Sequence, residues 1–368
     1  MSISGLTNQN PRKVLVLGAG NFGSCLADHL ADSEHEVLVW SKTASVVQSL
    51  NETHKHSQYL TDHVFPTNMV AVGPELPSKE VIQSVSVIIF AIPTQGLRKL
   101  LEEIRPSLDD SKLPLMIFVN KGIEIDTGSL TLEIIYDTCG KEIATQATFL
   151  SGPSFAKEII RRQPTQVSVV SLSLAHAQEA SAVFHQPWFR CYAGGDPIGV
   201  EIAGAMKNVY AIASGAAAGM GYENNTRAGL ITRSLAEMTR IGVSYGGNPL
   251  TFLSLAGVGD LFLTCNSPTS RNYTVGYRMG QGESLEEIVR TLGSVAEGVT
   301  TTKALYEIVK KMKINAPIAI AVYKVLYEGQ SVAEMAKGLM SRPLAEDELG
   351  LPEQAAAVSS LLTKLGLN

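Results

Sequence analysis

The chain is short of positive charge, with 30 Lys and Arg against 35 Asp and Glu and a formal net charge of −5. Binding nucleic acid requires a basic face to neutralise phosphates, so this balance argues against such a partner. Long apolar runs are missing as well. One of the longest, residues 85–92, is interrupted by Ser86 and falls far short of the ~20 residues of a membrane span; it reads as a buried strand. The four cysteines, Cys25, Cys139, Cys191 and Cys265, have no metal-ligand spacing. No metal site or disulfide framework is therefore expected, and a reducing compartment is. Aromatics make up only 6% of the chain, which disfavours an aromatic-lined binding surface. The polar stretch from Met1 to Pro11 has neither an apolar core nor an Arg-rich pattern, so neither a signal nor a transit peptide is expected. The last residues, Leu365-Gly366-Leu367-Asn368, are not a peroxisomal address. A cytoplasmic location is expected, with a plastid one open if a transit peptide has been removed.

What is present is enough for two domains, since 368 residues exceed one ordinary core. The first half alternates short β-branched runs with helical patterns. Strands are predicted at 13–17, 36–40, 85–92, 115–120, 148–150 and 166–170. Apolar runs separated by amphipathic segments indicate a parallel sheet covered by helices on both faces. Strand signals fade after about Tyr192. Asp196-Pro197 then offers an N-cap followed by proline at the first helical position. Helices are predicted at 198–218, 226–245, 285–292, 301–312, 318–327 and 332–340, with a surface turn at 343–347 and a last helix over 352–365. The expected architecture is a Rossmann-type doubly wound domain (1–195) and a mostly α-helical substrate domain (196–368), with the active site in the cleft between them.

Gly18-x-Gly20-x-x-Gly23 is a weak signal alone, but it follows the strand Val14–Leu17 and opens a helical pattern. Gly18 permits the tight turn, Gly20 lets a pyrophosphate approach the backbone, and Gly23 lets helix and strand pack closely. The second strand ends Val39-Trp40-Ser41-Lys42, without the acid that usually bonds the ribose 2′-OH of NAD. A hydroxyl and a cation suit the 2′-phosphate of NADP, although Lys42 also reads as a solvated surface lysine. Pro93 stiffens the loop after the 85–92 strand and falls beside the cofactor crevice, or simply ends the strand.

Transfer of a hydride from a carbinol carbon requires a base for the hydroxyl proton. The seven histidines are poorly placed for it, and His54 and His56, in a polar stretch, read as solvated. Lysines fit better. Lys207 lies mid-helix among Ala and Gly in Glu201-Ile202-Ala203-Gly204-Ala205-Met206-Lys207-Asn208, where desolvation would lower its pKa. Lys121 follows a strand in Asn120-Lys121-Gly122-Ile123-Glu124, at the substrate-binding edge of such sheets. Each also reads as an ordinary lysine, snorkelling or solvated.

These blocks, with Ser151-Gly152-Pro153-Ser154-Phe155-Ala156, Leu255-Ala256-Gly257-Val258-Gly259-Asp260-Leu261, Cys265-Asn266-Ser267-Pro268-Thr269-Ser270-Arg271-Asn272 and Val295-Ala296-Glu297-Gly298, resemble the NAD(P)-dependent glycerol-3-phosphate dehydrogenase family from Gly18 to about Met340. Tyr210, where the family more often has an aliphatic residue, and Asn120, often Thr or Ser, depart from it. The resemblance implies a second domain like the C-terminal domain of 6-phosphogluconate dehydrogenase. It implies interconversion of sn-glycerol 3-phosphate and dihydroxyacetone phosphate with NAD or NADP, feeding glycerophospholipid synthesis. Lys207 would be the proton acceptor, supported by Lys121 and by Asp260 in a Gly-rich turn. Substrate contacts would come from Lys121, Gly152, Ser154, Ser270, Arg271 and Asn272. Cofactor contacts would come from Gly18, Gly20, Asn21, Phe22, Gly23, Lys42, Pro93, Lys121, Ala156, Arg271, Val295 and Glu297. Arg271 offers a planar fork for a phosphate, with Ser270 and Asn272 as flanking hydrogen-bonding groups. A homodimer is expected, with no interface assigned. The competing readings are a related β-hydroxyacid-type dehydrogenase and a non-catalytic NAD(P)-binding redox sensor.

Overall fold

The structure is a computed structural model and describes residues 11–293, 296–343 and 360–366. Its strands are β1 (Lys13–Leu17), β2 (Glu36–Trp40), β3 (Met69–Val72), β4 (Val87–Phe90), β5 (Leu115–Phe118), β6 (Thr148–Ser151), β7 (Thr165–Ser171) and β8 (Phe189–Gly194). They form one sheet in the order β3-β2-β1-β4-β5-β6-β7-β8. Pairing is parallel except where β7 runs against β6. Strand order reverses between β1 and β4, and loops at the carboxyl ends of these strands flank a ligand crevice in folds of this kind.

The central strands β1, β4 and β5 are buried along nearly their whole length, which is why they read as continuous apolar runs. β3 and β8 were not anticipated. Both lie at the sheet's edges: β3 is an apolar run of only four residues, and β8 mixes Arg190 with apolar residues and buries only Phe189.

Two compact units divide the chain: Met1–Asn120 with Ile134–Gly195, and Lys121–Glu133 with Asp196–Asn368. The sequence reading placed Lys121–Glu133 in the first domain. Its fastenings explain the difference: the Asn208 amide donates to the Lys121 carbonyl at 3.2 Å, and Glu201 accepts from the Leu132 amide.

The second unit is built on the helix Pro197–Gly219, buried along almost its whole length. Asp196 caps it, accepting from the Gly199 amide at 2.9 Å, with Pro197 at the first position. The helix Arg271–Gly280, absent from the sequence reading, packs on it backbone to backbone. A Cβ at Gly215 would collide with the Tyr273 carbonyl and one at Gly276 with the Ile212 carbonyl, so only glycine permits this approach. The anticipated last helix lies partly outside the described residues, with Ser360–Leu365 helical. No helix of the described residues is long and apolar enough to cross a membrane.

Candidate active site

In the first unit, β1 runs into the glycine turn. Gly18 has φ +119°, and a Cβ there would stand 2.6 Å from the Ala91 carbonyl oxygen. A Cβ on Gly23 would collide with the Gly18 carbonyl. At Gly20, by contrast, a Cβ would meet nothing within 4 Å. Gly20 is also the N-cap of the helix Asn21–Asp32, and no side chain caps that end. The result is an open cradle at a helix N-terminus, where backbone N–H groups and the helix dipole favour a phosphate. Asn21 and Phe22 open the helix, both partly buried.

Three buried oxygens without a partner among the described residues lie at or just past the carboxyl ends of neighbouring strands. They are Thr94 Oγ1 after β4, Asn120 Oδ1 after β5 and Ser151 Oγ closing β6. Unmet buried acceptors and hydroxyls at this edge fit a polar ligand. Together with the Gly20 cradle they fit a dinucleotide. Pro93 is exposed at the head of the turn Thr94–Gly96. Lys42 is exposed just past β2, whereas Ser41 is buried and its Oγ accepts from the Thr43 amide at 3.2 Å. Gly152 has φ +144°, Ser154 Oγ donates to its carbonyl at 2.8 Å, and Ala156 begins the short helix Ala156–Ile159, buried.

His56 corrects the sequence reading. It is 2% exposed; Nε2 donates to the Ala19 carbonyl inside the glycine turn at 2.8 Å, while Nδ1 accepts from the Gln58 and Tyr59 amides. Those two amides fix the tautomer, because Nδ1 must be the acceptor.

The second unit holds the titratable cluster. Lys207 Nζ donates to Asp260 Oδ1 at 2.5 Å and to Thr264 Oγ1 at 3.2 Å, and Lys121 Nζ donates to Asp260 Oδ2 at 2.8 Å. Asp260 and Lys207 are 1% and 7% exposed. Burial, countered in part by Asp260 and reinforced by the neighbouring Lys121 ammonium, brings Lys207 down to about 8. Burial acts to raise the Asp260 carboxyl, but the two ammonium groups override it and hold it below the ordinary range. Asp260 is the first residue of the helix Asp260–Asn266, following a kinked segment 255–259, and not the turn residue expected from its glycine neighbours.

Sequence reasoning left out two side chains of this cluster, Thr264 and Asn208. Thr264 stands one helical turn after Asp260, and Asn208 adjoins Lys207, so helical periodicity was the available signal. Asn208 Oδ1 accepts from Asn272 Nδ2 at 2.9 Å, and Asn272 Oδ1 accepts from the Gly298 amide at 2.9 Å. The Asn272 side chain is therefore engaged within the unit. Ser270 Oγ is likewise engaged, capping the helix Arg271–Gly280 by accepting from the Tyr273 amide at 3.3 Å. Arg271 opens that helix exposed, with no ion-pair partner among the described residues. Glu297 begins the helix Glu297–Met312, and Val295 lies outside the described residues.

A unit whose sheet has this topology and an open glycine cradle, in a chain whose other, helical unit carries two lysines on one buried carboxylate, defines a nicotinamide-nucleotide-dependent dehydrogenase. Comparison with known proteins narrows the class. Residues 13–177 match the N-terminus, and residues 196–337 the C-terminus, of NAD-dependent glycerol-3-phosphate dehydrogenase. The chain belongs to that family. It is 40% identical over 336 residues, covering 91% of this chain and 98% of the relative, to glycerol-3-phosphate dehydrogenase [NAD(P)+] of Limosilactobacillus reuteri. It is also 40% identical over 330 residues to the Staphylococcus aureus enzyme of the same description, covering 90% and 98%. The crystal structure of glycerol-3-phosphate dehydrogenase from Coxiella burnetii superimposes with a TM-score of 0.84 at 30% identity, covering 90% of this chain and 99% of that one.

Proposed function

We propose that this protein interconverts sn-glycerol 3-phosphate and dihydroxyacetone phosphate with a nicotinamide dinucleotide. The observation that carries the reading is the Lys121–Asp260–Lys207 cluster in a chain of this family. A nicotinamide dinucleotide, once bound, would supply the hydride acceptor or donor. In oxidation, Lys207 in its neutral form takes the proton from the C2 hydroxyl as the hydride leaves C2. In reduction, its ammonium returns a proton to the alkoxide-like oxygen and stabilises the developing charge. Asp260 holds both lysines in place, and the Lys121 cation keeps Lys207 acidic enough to give up its proton near neutrality.

Arg271 takes the substrate phosphate through its planar fork, with Ser270 and Asn272 setting the helix start that carries it. Gly152 and Ser154 are further substrate contacts. Gly18, Gly20, Asn21, Phe22 and Gly23 hold the pyrophosphate, and Pro93, Ala156, Val295 and Glu297 complete the cofactor set. Lys42 favours NADPH by pairing with its 2′-phosphate. The working form is a cytoplasmic homodimer; free buried thiols at Cys25, Cys139 and Cys265 suit a reducing compartment.

The test is an assay of dihydroxyacetone phosphate with NADH and NADPH in parallel, beside a β-hydroxyacid panel. Turnover of the phosphate ester alone supports the reading. Turnover of the hydroxyacids alone, or cofactor binding without turnover, overturns it.

A further inference from the structure

The segment that carries Lys121 is fastened to the Lys207 helix at both ends. Asn208 Nδ2 donates to the Lys121 carbonyl at 3.2 Å. The Glu201 carboxylate takes the other end, accepting from the Leu132 amide at 3.3 and 3.2 Å on its two oxygens and from Thr131. Positions 201 and 208 are two turns apart, so both grips lie on one face of the helix.

Between the grips the segment closes on itself. The Glu124 amide donates to the Ser129 carbonyl at 3.0 Å, the Gly128 amide to the Glu124 carbonyl at 2.9 Å, and Thr127 Oγ1 to Glu124 Oε2 at 2.5 Å. Ile123 and Leu130 are fully buried. A segment tied this tightly moves as a piece, so displacement at Leu132 is passed on to Lys121.

Glu201 is 7% exposed and touches none of the groups given a part in proton transfer. A buried carboxyl carries a desolvation cost that a purely apolar residue would avoid, and burial pushes Glu201 up to about 8 against the pull of the Leu132 and Thr131 hydrogen bonds. We propose that Glu201 is a positioning residue for Lys121: by gripping the Thr131–Leu132 backbone it sets how closely the Lys121 ammonium stands to Asp260 and Lys207. This rests on the proton-transfer role proposed for Lys207.

The groups facing Lys207 are Asp260, Lys121, Thr264 and Cys265; those facing Glu201 are Thr131, the Leu132 amide and the Glu133 carboxylate. Lys121 is the neighbouring cation that pushes Lys207 down. If its segment loosens, Lys207 titrates higher.

Glu201→Gln keeps the shape and one acceptor but turns an amide donor toward a backbone donor. Three readouts are expected to move together in this variant. The alkaline inflection of the oxidation rate moves to higher pH than in the wild type. kcat falls while the cofactor KM holds. Amide exchange across residues 121–133 quickens by roughly tenfold. Glu201→Asp, with a shorter arm, shows the same changes in smaller measure and serves if the Gln variant does not fold. Glu237→Gln is the control. Glu237 is another buried carboxylate, gripping the Ile318 and Ala319 amides at 2.9 and 2.8 Å; its loss should lower Tm and leave the inflection in place.

The proposal is overturned if Glu201→Gln lowers Tm alone, as the control does, or leaves exchange at 121–133 unchanged. It is also overturned if the inflection vanishes, which would make Glu201 itself the titrating group. A wild type without any inflection, together with faster exchange in the variant, would sink the Lys207 assignment while supporting the grip.

Discussion

Burying the Lys207 ammonium strips its hydration, and the Asp260 carboxylate 2.5 Å away offsets only part of that loss because it is shared with Lys121. The balance leaves Lys207 near 8, and its direction decides the pH profile. Below about 8 Lys207 is charged and serves as the acid for ketone reduction; above it the neutral amine serves as the base for alcohol oxidation. Oxidation kcat/KM should therefore rise as pH passes about 8, and reduction should fall over the same interval. Rate profiles measured in both directions check this, and parallel curves would contradict it. Lys207→Met retains the stem and removes the charge. NAD(P)H binding, followed by fluorescence titration, should survive while kcat drops by ~10²–10⁴-fold, the usual worth of general acid–base catalysis. Near-normal kcat would transfer the role to Lys121.

At the scale of elements, the glycine turn depends on a residue well outside its own motif. His56 ties the Ala19 carbonyl to the amides of Gln58 and Tyr59, so it holds the turn in the shape that presents Gly20. Burial lowers the imidazole's pKa, which keeps it neutral and able to accept at Nδ1. His56→Ala removes one buried hydrogen bond to the turn, a loss of ~1 kcal/mol. The dissociation constant for NAD(P)H should rise by about fivefold, with kcat at saturating cofactor little changed. An unchanged cofactor affinity in titration calorimetry would show that the turn holds its shape without the ring. The polar stretch around His56 concealed this, because composition reports average exposure and not the contact that one ring makes across 37 residues of sequence.

For the whole molecule, the two units divide the labour: the first carries the nucleotide cradle and the second the lysine pair. Cofactor choice belongs to the first. With no acid closing β2 and Lys42 exposed just past it, NADPH should be used, and Lys42→Ala should lower kcat/KM for NADPH more than for NADH. A ratio that stays put under the substitution would return Lys42 to the role of a surface lysine. What the sequence determined by itself was whatever depends on near neighbours. The Val14–Leu17 run feeding Gly18, the proline and aspartate that start the helix Pro197–Gly219, and the small residues around Lys207 all act within a few residues, so their patterns could be read directly. Edge strands β3 and β8 escaped because β3 is only four residues long and β8 carries little of an apolar run. Only the tertiary structure decided that Asp260 would meet Lys207 and Lys121, 53 and 139 residues away, and that the Lys121 segment would join the second unit. A carboxylate can hold two buried ammonium groups only when packing brings all three out of water together, and local sequence spacing carries no record of that encounter.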